Sequence, residues 1–352
     1  MTSPMSDRRS SLELGRASFK ALKAYDPQND ACRIDLSDNT NLWGAPPAAQ
    51  AALSVKDSDT LTRYPQPYSR ELTRALASYL GVDANMVIAG CGSDDLLDSA
   101  IRAFGEPGDT LAQLDPTFGM IRVFATVNGL GVTAIPVCDG AEALAGTDAR
   151  IIYLCSPNNP TGETLDPALI ESIVAGARGL VIIDEAYAEF AGVSSVGLLA
   201  RYENVLVTRT LSKAFGLAGL RIGYAAGSPE IVREVEKSRG PYKVTSLAER
   251  AAMAAMTSDR GWVDEKVAEA RANRDRFAER LRGLALHPIE SRANFVLVPV
   301  ADSQRTAGRL ARSGVAVRRL ENLTGIGDAL RITIGPWAMM EECLAALEAA
   351  LQ

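Results

Sequence analysis

Histidine is almost absent: His287, followed directly by Pro288, is the only one in the 352-residue sequence. One imidazole removes histidine-built metal centres and serine–histidine–aspartate triads at a stroke. Cysteine is sparse and scattered. Cys32, Cys91, Cys138, Cys155 and Cys343 are odd in number and form no CxxC pair. They read as reduced, mostly buried thiols of a cytoplasmic protein rather than a disulfide framework. No uninterrupted apolar run approaches about 18 residues, so no membrane span is expected. The polar N-terminus lacks the apolar core of a signal peptide. Positive charge is not in excess either: the formal net charge of −6 leaves no footprint for nucleic acid. An anionic substrate would need a local arginine site, because the overall field will not attract it.

What the sequence does have is strand–helix alternation. Apolar runs at 86–89, 110–114, 131–137, 150–155, 179–184 and 205–207 read as strands. Helical spacing is weak over 13–27 and clear over 48–53, 69–80, 96–104, 247–257 and 263–281, with a further helix over 228–239. The tail follows another order: strand 293–299, helix 303–313, strands 315–319 and 329–335, helix 339–351. This predicts an α/β protein whose large domain, 46–260, has a mostly parallel central sheet flanked by helices. A smaller α+β domain would join 261–352 to 1–45, which includes an N-terminal arm.

Several stretches carry chemistry. Gly90-Cys-Gly-Ser-Asp-Asp95 lies between a strand and a helix. Free backbone N–H groups, the helix dipole and close approach at glycine make Gly92, Ser93 and Asp94 a phosphate seat. A dinucleotide fingerprint fits less well, since Asp95 stands where the third glycine belongs, and no lysine follows for a P-loop. Plain capping by the acidic pair stays open. Phe118 follows the next strand, where an aromatic ring can cover a flat ligand or simply fill core. Asn158 and Asn159 are locked between Pro157 and Pro160, which pre-positions the Asn159 amide or builds an Asx turn.

Asp184 ends an apolar run that reads as a central strand buried on both faces, so its carboxylate sits where open α/β sheets bind ligands. A metal shared with Glu185 has no supporting ligand cluster. A protonated ring nitrogen suits the carboxylate better, with Tyr187 nearby. The stretch Thr210 to Tyr224 places Lys213 in a tight bend punctuated by glycines. Partial burial and a neighbouring cation such as Arg221 would lower its pKa toward that of a Schiff-base nucleophile, although alone it also reads as a loop lysine. Together with Arg331, these residues match what pyridoxal 5′-phosphate asks for: phosphate, ring face, ring nitrogen, phenolic oxygen and aldehyde each find a partner.

From Tyr25 onward the sequence resembles the fold-type I, class I/II pyridoxal-phosphate-dependent aminotransferases, most closely the histidinol-phosphate aminotransferases. The resemblance rests on Arg63-Tyr-Pro, Gly92-Ser-Asp, Ser156-Pro-Asn-Asn-Pro-Thr-Gly, Asp184-Glu-Ala-Tyr, the segment Thr210 to Arg221, and Leu330-Arg-Ile-Thr-Ile-Gly. It implies that Lys213 holds the cofactor as a Schiff base and shuttles the substrate proton. Asp184 would pair with the pyridinium, Asn159 and Tyr187 would bind the phenolic oxygen, and Phe118 would stack on the ring. Ser93, Asp94, Thr210, Ser212 and Arg221 would hold the phosphate, joined by Tyr64 from the other subunit of a homodimer with shared active sites. Arg331 would grip the substrate's acidic group, with Asn159 beside it, while Tyr25 and Arg318 would help bind a substrate phosphate.

The implied reaction is ping-pong transfer from histidinol phosphate to 2-oxoglutarate in histidine biosynthesis. An aminotransferase for an aromatic or another specialised amino acid is the alternative. Phosphothreonine decarboxylation lacks the N-terminal histidine–glycine motif of that branch, and a binding module that has lost its chemistry sits poorly with Lys213 and Asp184 both present. Three departures stand out: Asn39-Thr-Asn-Leu-Trp-Gly where the family has Asn-Glu-Asn-Pro-x-Gly, Lys243 in place of asparagine after Pro241-Tyr242, and Phe118 in place of tyrosine. They are expected to crowd the substrate pocket rather than the cofactor site.

Overall fold

The computed structural model describes residues 15–20, 22–24, 32–54 and 58–351. Within them, eleven strands form two sheets. The larger sheet has the order β2-β8-β7-β6-β5-β3-β4. Its strands are β2 (Val87–Cys91), β3 (Thr110–Asp115), β4 (Gly131–Pro136), β5 (Ile151–Cys155), β6 (Leu180–Asp184), β7 (Val205–Thr210) and β8 (Ile222–Gly227). All neighbours are parallel except β8, which runs antiparallel to both β7 and β2. This is the expected α/β class with a mostly parallel central sheet.

β6 is fourth of the seven, and every residue in it is buried. Ile182 packs with Leu96, Leu97, Ile121 and Val235 on one face. Val181 and Ile183 pack with Ile170, Ile173 and Leu198 on the other. Helices therefore cover both faces, and each aliphatic side chain buried there contributes about 1.5–3 kcal/mol.

The smaller sheet has the order β1-β10-β11-β9, built from β1 (Ile34–Leu36), β9 (Phe295–Pro299), β10 (Val315–Leu323) and β11 (Gly327–Thr333). Helices Ser303–Arg312 and Trp337–Leu351 pack on it through Leu310, Cys343 and Leu347.

Most expected elements fall within about four residues of their bounds. The rest differ more. The weak pattern at 13–27 yields only a 3-10 turn, Ala17–Phe19, among its described residues. The helices Met120–Val127 and Pro167–Gly176 and strand β8 are additional. β8 reads Ile-Gly-Tyr-Ala-Ala-Gly, poor in β-branched residues, and is held by pairing on both edges. Gly223 in it is required by contact: a Cβ there would lie 2.2 Å from the Ser93 nitrogen.

Candidate active site

The topology gathers the chemistry along one edge of the large sheet. β2, β3, β5, β6 and β7 run the same way, so their C-terminal ends deliver Gly92, Phe118, Asn159, Asp184 and Lys213 to that edge. β8 runs in reverse, so its start delivers Arg221 to the same place.

Asp184 is buried, and its carboxylate is held by two donors: the Tyr153 hydroxyl at 2.8 Å and the Ala186 N–H at 3.1 Å. Burial pushes its pKa up to about 6, with those donors pulling it back. No basic side chain among the described residues forms a salt bridge with it. Lys213 donates to the Asp38 carbonyl at 3.0 Å and lies 5.9 Å from the centre of the Tyr187 ring. Its pKa is lowered to about 8, first by burial and then by Arg331. The expected cation, Arg221, contributes too, but as the weaker of the two arginines. The Tyr187 hydroxyl accepts from Asn39 at 3.0 Å, and burial pushes it up to about 12, so it keeps its proton.

Around the phosphate seat, the helix Gly92–Phe104 begins with two acids in its first turn. Arg221 adopts φ +52° and brings its guanidinium 3.5 Å from Asp94. Gly92, at φ +82°, makes room for it: a Cβ there would stand 2.5 Å from the guanidinium. Thr210 is engaged with backbone, donating to the Ile222 carbonyl at 3.3 Å and accepting from the Ser212 N–H at 3.1 Å. Its hydroxyl therefore shapes the seat through Ser212. The Ser212 hydroxyl is buried and has no hydrogen-bond partner among the described residues. Phe118 is half-buried against the core.

Arg331 comes from the other sheet. It donates to the Asn159 side-chain oxygen at 2.7 Å and to the Ser37 carbonyl at 2.7 Å. Arg318 stands directly opposite it across the β10–β11 ladder, so both side chains leave the same face. Tyr64 is not brought to the site within one chain. It is 82% exposed and stacks on Tyr242 with ring centres 4.9 Å apart. Tyr25 lies outside the described residues.

Two of the departures sit elsewhere than expected. Lys243 bonds Asp95 at 2.7 Å, beside the phosphate seat rather than in a substrate pocket. Leu42, where the family has proline, packs into the small-sheet core, while Asn39, common to both, donates to the Tyr187 hydroxyl. The sequence also concealed Tyr153, the partner of Asp184. A signal existed, since Tyr153 shares a strand face with Cys155, which pairs with Asp184 across β5 and β6.

These features fit pyridoxal 5′-phosphate. An orphaned hydroxyl and an arginine meet at a helix start that only glycine can open, and a buried acid without a cation lies on the same sheet edge. No group of histidine, cysteine, aspartate and glutamate suited to a metal occurs among the described residues.

The sequence matches the aminotransferase class I and II family over residues 33–347. The chain belongs to this family. A histidinol-phosphate aminotransferase of Caldanaerobacter subterraneus subsp. tengcongensis is 33% identical over 91% of this chain and 93% of its own length. One from Roseiflexus castenholzii is 37% identical over 86% and 85%. The crystal structure of the Sinorhizobium meliloti histidinol-phosphate aminotransferase in complex with pyridoxal 5′-phosphate superposes with a TM-score of 0.87 over 99% of each chain. At 24% identity, that likeness speaks for the fold. No helix of the described residues is long and apolar enough to cross a membrane.

Proposed function

We propose that this aminotransferase binds pyridoxal 5′-phosphate and transfers the amino group of histidinol phosphate to 2-oxoglutarate, in histidine biosynthesis. The observation that carries the substrate reading is the pair Arg318 and Arg331, facing each other across β10 and β11. Two cationic side chains leaving one face side by side suit an anion with several oxygens. The relatives of 33–37% identity carry the same activity in their names.

When bound, pyridoxal 5′-phosphate supplies an aldehyde and an electron-withdrawing ring for moving an amino group. The protein supplies the rest. Gly92, Ser93 and Asp94 offer backbone N–H groups, and Ser212 and Arg221 add a hydroxyl and a charge. Asp184, anchored by Tyr153, would present its carboxylate to a ring nitrogen and hold that nitrogen protonated. Tyr187 and Asn159 would hold the ring's oxygen, and Phe118 would cover the ring. Lys213, its pKa near 8, can give up and retake a proton close to neutral pH. Arg331, braced by Asn159 and Ser37, orients an acidic group of either substrate in turn, as a ping-pong reaction requires.

The assembly we infer is a homodimer with shared sites, because Leu61, Tyr64, Tyr68 and Tyr242 leave large apolar side chains exposed together with a stacked pair. We place the division into large and small domains at 46–260 against 1–45 and 261–352. The large sheet is drawn entirely from 87–227, and the small one from 34–36 and 295–333. Free cysteines accord with a cytoplasmic enzyme.

The deciding experiment follows the visible absorbance of the holoprotein after adding histidinol phosphate, glutamate or phenylalanine separately. Conversion by the first two and not by phenylalanine is expected. Conversion only by another donor would keep the aminotransferase and overturn the substrate.

A further inference from the structure

We propose that Lys243 is a positioning residue of the phosphate seat, setting its charge and its shape through Asp95. The inference rests on reading that seat as the holder of the cofactor phosphate.

Asp94 and Asp95 both stand in the first turn of the helix Gly92–Phe104. Each is favourable to the helix dipole, yet a dianion arriving at the same turn meets two like charges. The chain answers each acid separately. Asp94 faces Arg221 at 3.5 Å. Asp95 lies between the Arg239 guanidinium at 3.0 Å and the Lys243 ammonium at 2.7 Å. Arg239 is divided further, since it also bonds Glu236 at 2.8 Å and the Ala89 carbonyl at 2.7 Å. With Glu236 drawing on Arg239, Lys243 is the cation that completes the neutralisation of Asp95.

The same contacts fix shape. Asp95 accepts the Cys91 N–H at 3.1 Å, and Cys91 lies between the two glycines of the seat. There is no slack around it: a Cβ on Gly90 would stand 2.8 Å from the Asp95 carboxylate and 3.0 Å from Arg239. At its other end, Lys243 belongs to the strap between the helices Pro229–Lys237 and Ser246–Ser258. Its neighbour Tyr242, at φ +63°, carries the ring that stacks on Tyr64. The Lys243–Asp95 contact thus ties that strap to the seat. Where the family has asparagine, Asp95 would keep its arginine but not this second charge. The consequence should fall on the phosphate end of a ligand and leave the ring end alone.

The test compares apoprotein titrated with pyridoxal 5′-phosphate and with pyridoxal, which lacks the phosphate, both followed by absorbance. Lys243→Met should weaken pyridoxal 5′-phosphate about tenfold and change pyridoxal by less than about twofold, as expected of one charge lost beside a dianion. Lys243→Arg should restore most of the affinity. Adding Asp95→Asn to Lys243→Met, which removes the charge left unbalanced, should recover part of it and guards against a folding defect in the single variant. Unchanged affinity in Lys243→Met, equal loss for both ligands, or no recovery in the double variant would each overturn the proposal. A wild type that binds neither ligand would overturn the phosphate-seat reading, and the role of Lys243 with it.

Discussion

Asp184 and Lys213 shift toward their neutral forms for a shared reason, withdrawal from water, and a cofactor held between them would offset both. For Asp184 the sign is definite. A carboxyl raised to about 6 holds its proton more tightly in the folded protein than in the unfolded chain. The apoprotein is therefore least penalised below the ordinary carboxylate range and loses stability as pH climbs to about 6. Above that the cost is constant and on the order of 3 kcal/mol. Asp184→Asn removes it. The variant's apoprotein should melt several degrees above wild type at pH 7.5, the gap closing near pH 4, while transamination falls by at least ~100-fold. Melting curves without the gap would mean that the carboxylate is not buried as an anion. Lys213 gives the opposite slope. Its depressed pKa predicts that cofactor uptake by the apoprotein accelerates as pH rises through about 8. Arg331 is the largest charge acting on it, so Arg331→Gln should move that midpoint upward. Stopped-flow uptake against pH tests this, and an unmoved midpoint counts against the coupling.

Among elements, the strand ends explain both what was legible in the sequence and what was not. β6 announced itself because four apolar residues before Asp184 admit few other readings. The turn at Gly92 was legible for a similar reason, since Gly-Cys-Gly-Ser between a strand and a helix is a local pattern. β8 was hidden because its small residues and glycines carry no period; its pairing comes from β2 and β7, far away in sequence. Tyr153 and the pairing of Lys243 with Asp95 were hidden likewise, being contacts between elements 31 and 148 residues apart. Gly92 is the element-scale test. A methyl group there meets Arg221 at 2.5 Å and a backbone at φ +82°, so Gly92→Ala should cost about 1–3 kcal/mol of stability. It should also weaken pyridoxal 5′-phosphate by more than about tenfold through the displaced arginine. Denaturant unfolding and cofactor titration read the two effects separately, and an alanine variant with native cofactor affinity would remove Arg221 from the phosphate seat.

At the scale of the whole molecule, the strand ends of one chain bring the cofactor candidates to one edge of the large sheet, but not Tyr64, which stands 82% exposed on a face that also bears Tyr242. A tyrosine so placed is either irrelevant to the chemistry or serves a site in a second copy. In a two-fold dimer the exchange is reciprocal, each subunit lending Tyr64 and receiving one. Two defective parents separate the readings. Lys213→Ala lacks the amine but keeps Tyr64; Tyr64→Ala keeps the amine but has no aromatic ring to lend. Each alone should be strongly impaired. Unfolded together and refolded as an equal mixture, about half the dimers are hybrids, and in each hybrid one site combines an intact Lys213 with an intact Tyr64. Activity should then recover to about a quarter of wild type, by the same counting. Recovery requires that the two residues act from different chains, because no single polypeptide in the mixture carries both. A mixture no more active than the average of its parents would place Tyr64 outside the shared site and leave its exposed stack with Tyr242 a surface feature of the single chain.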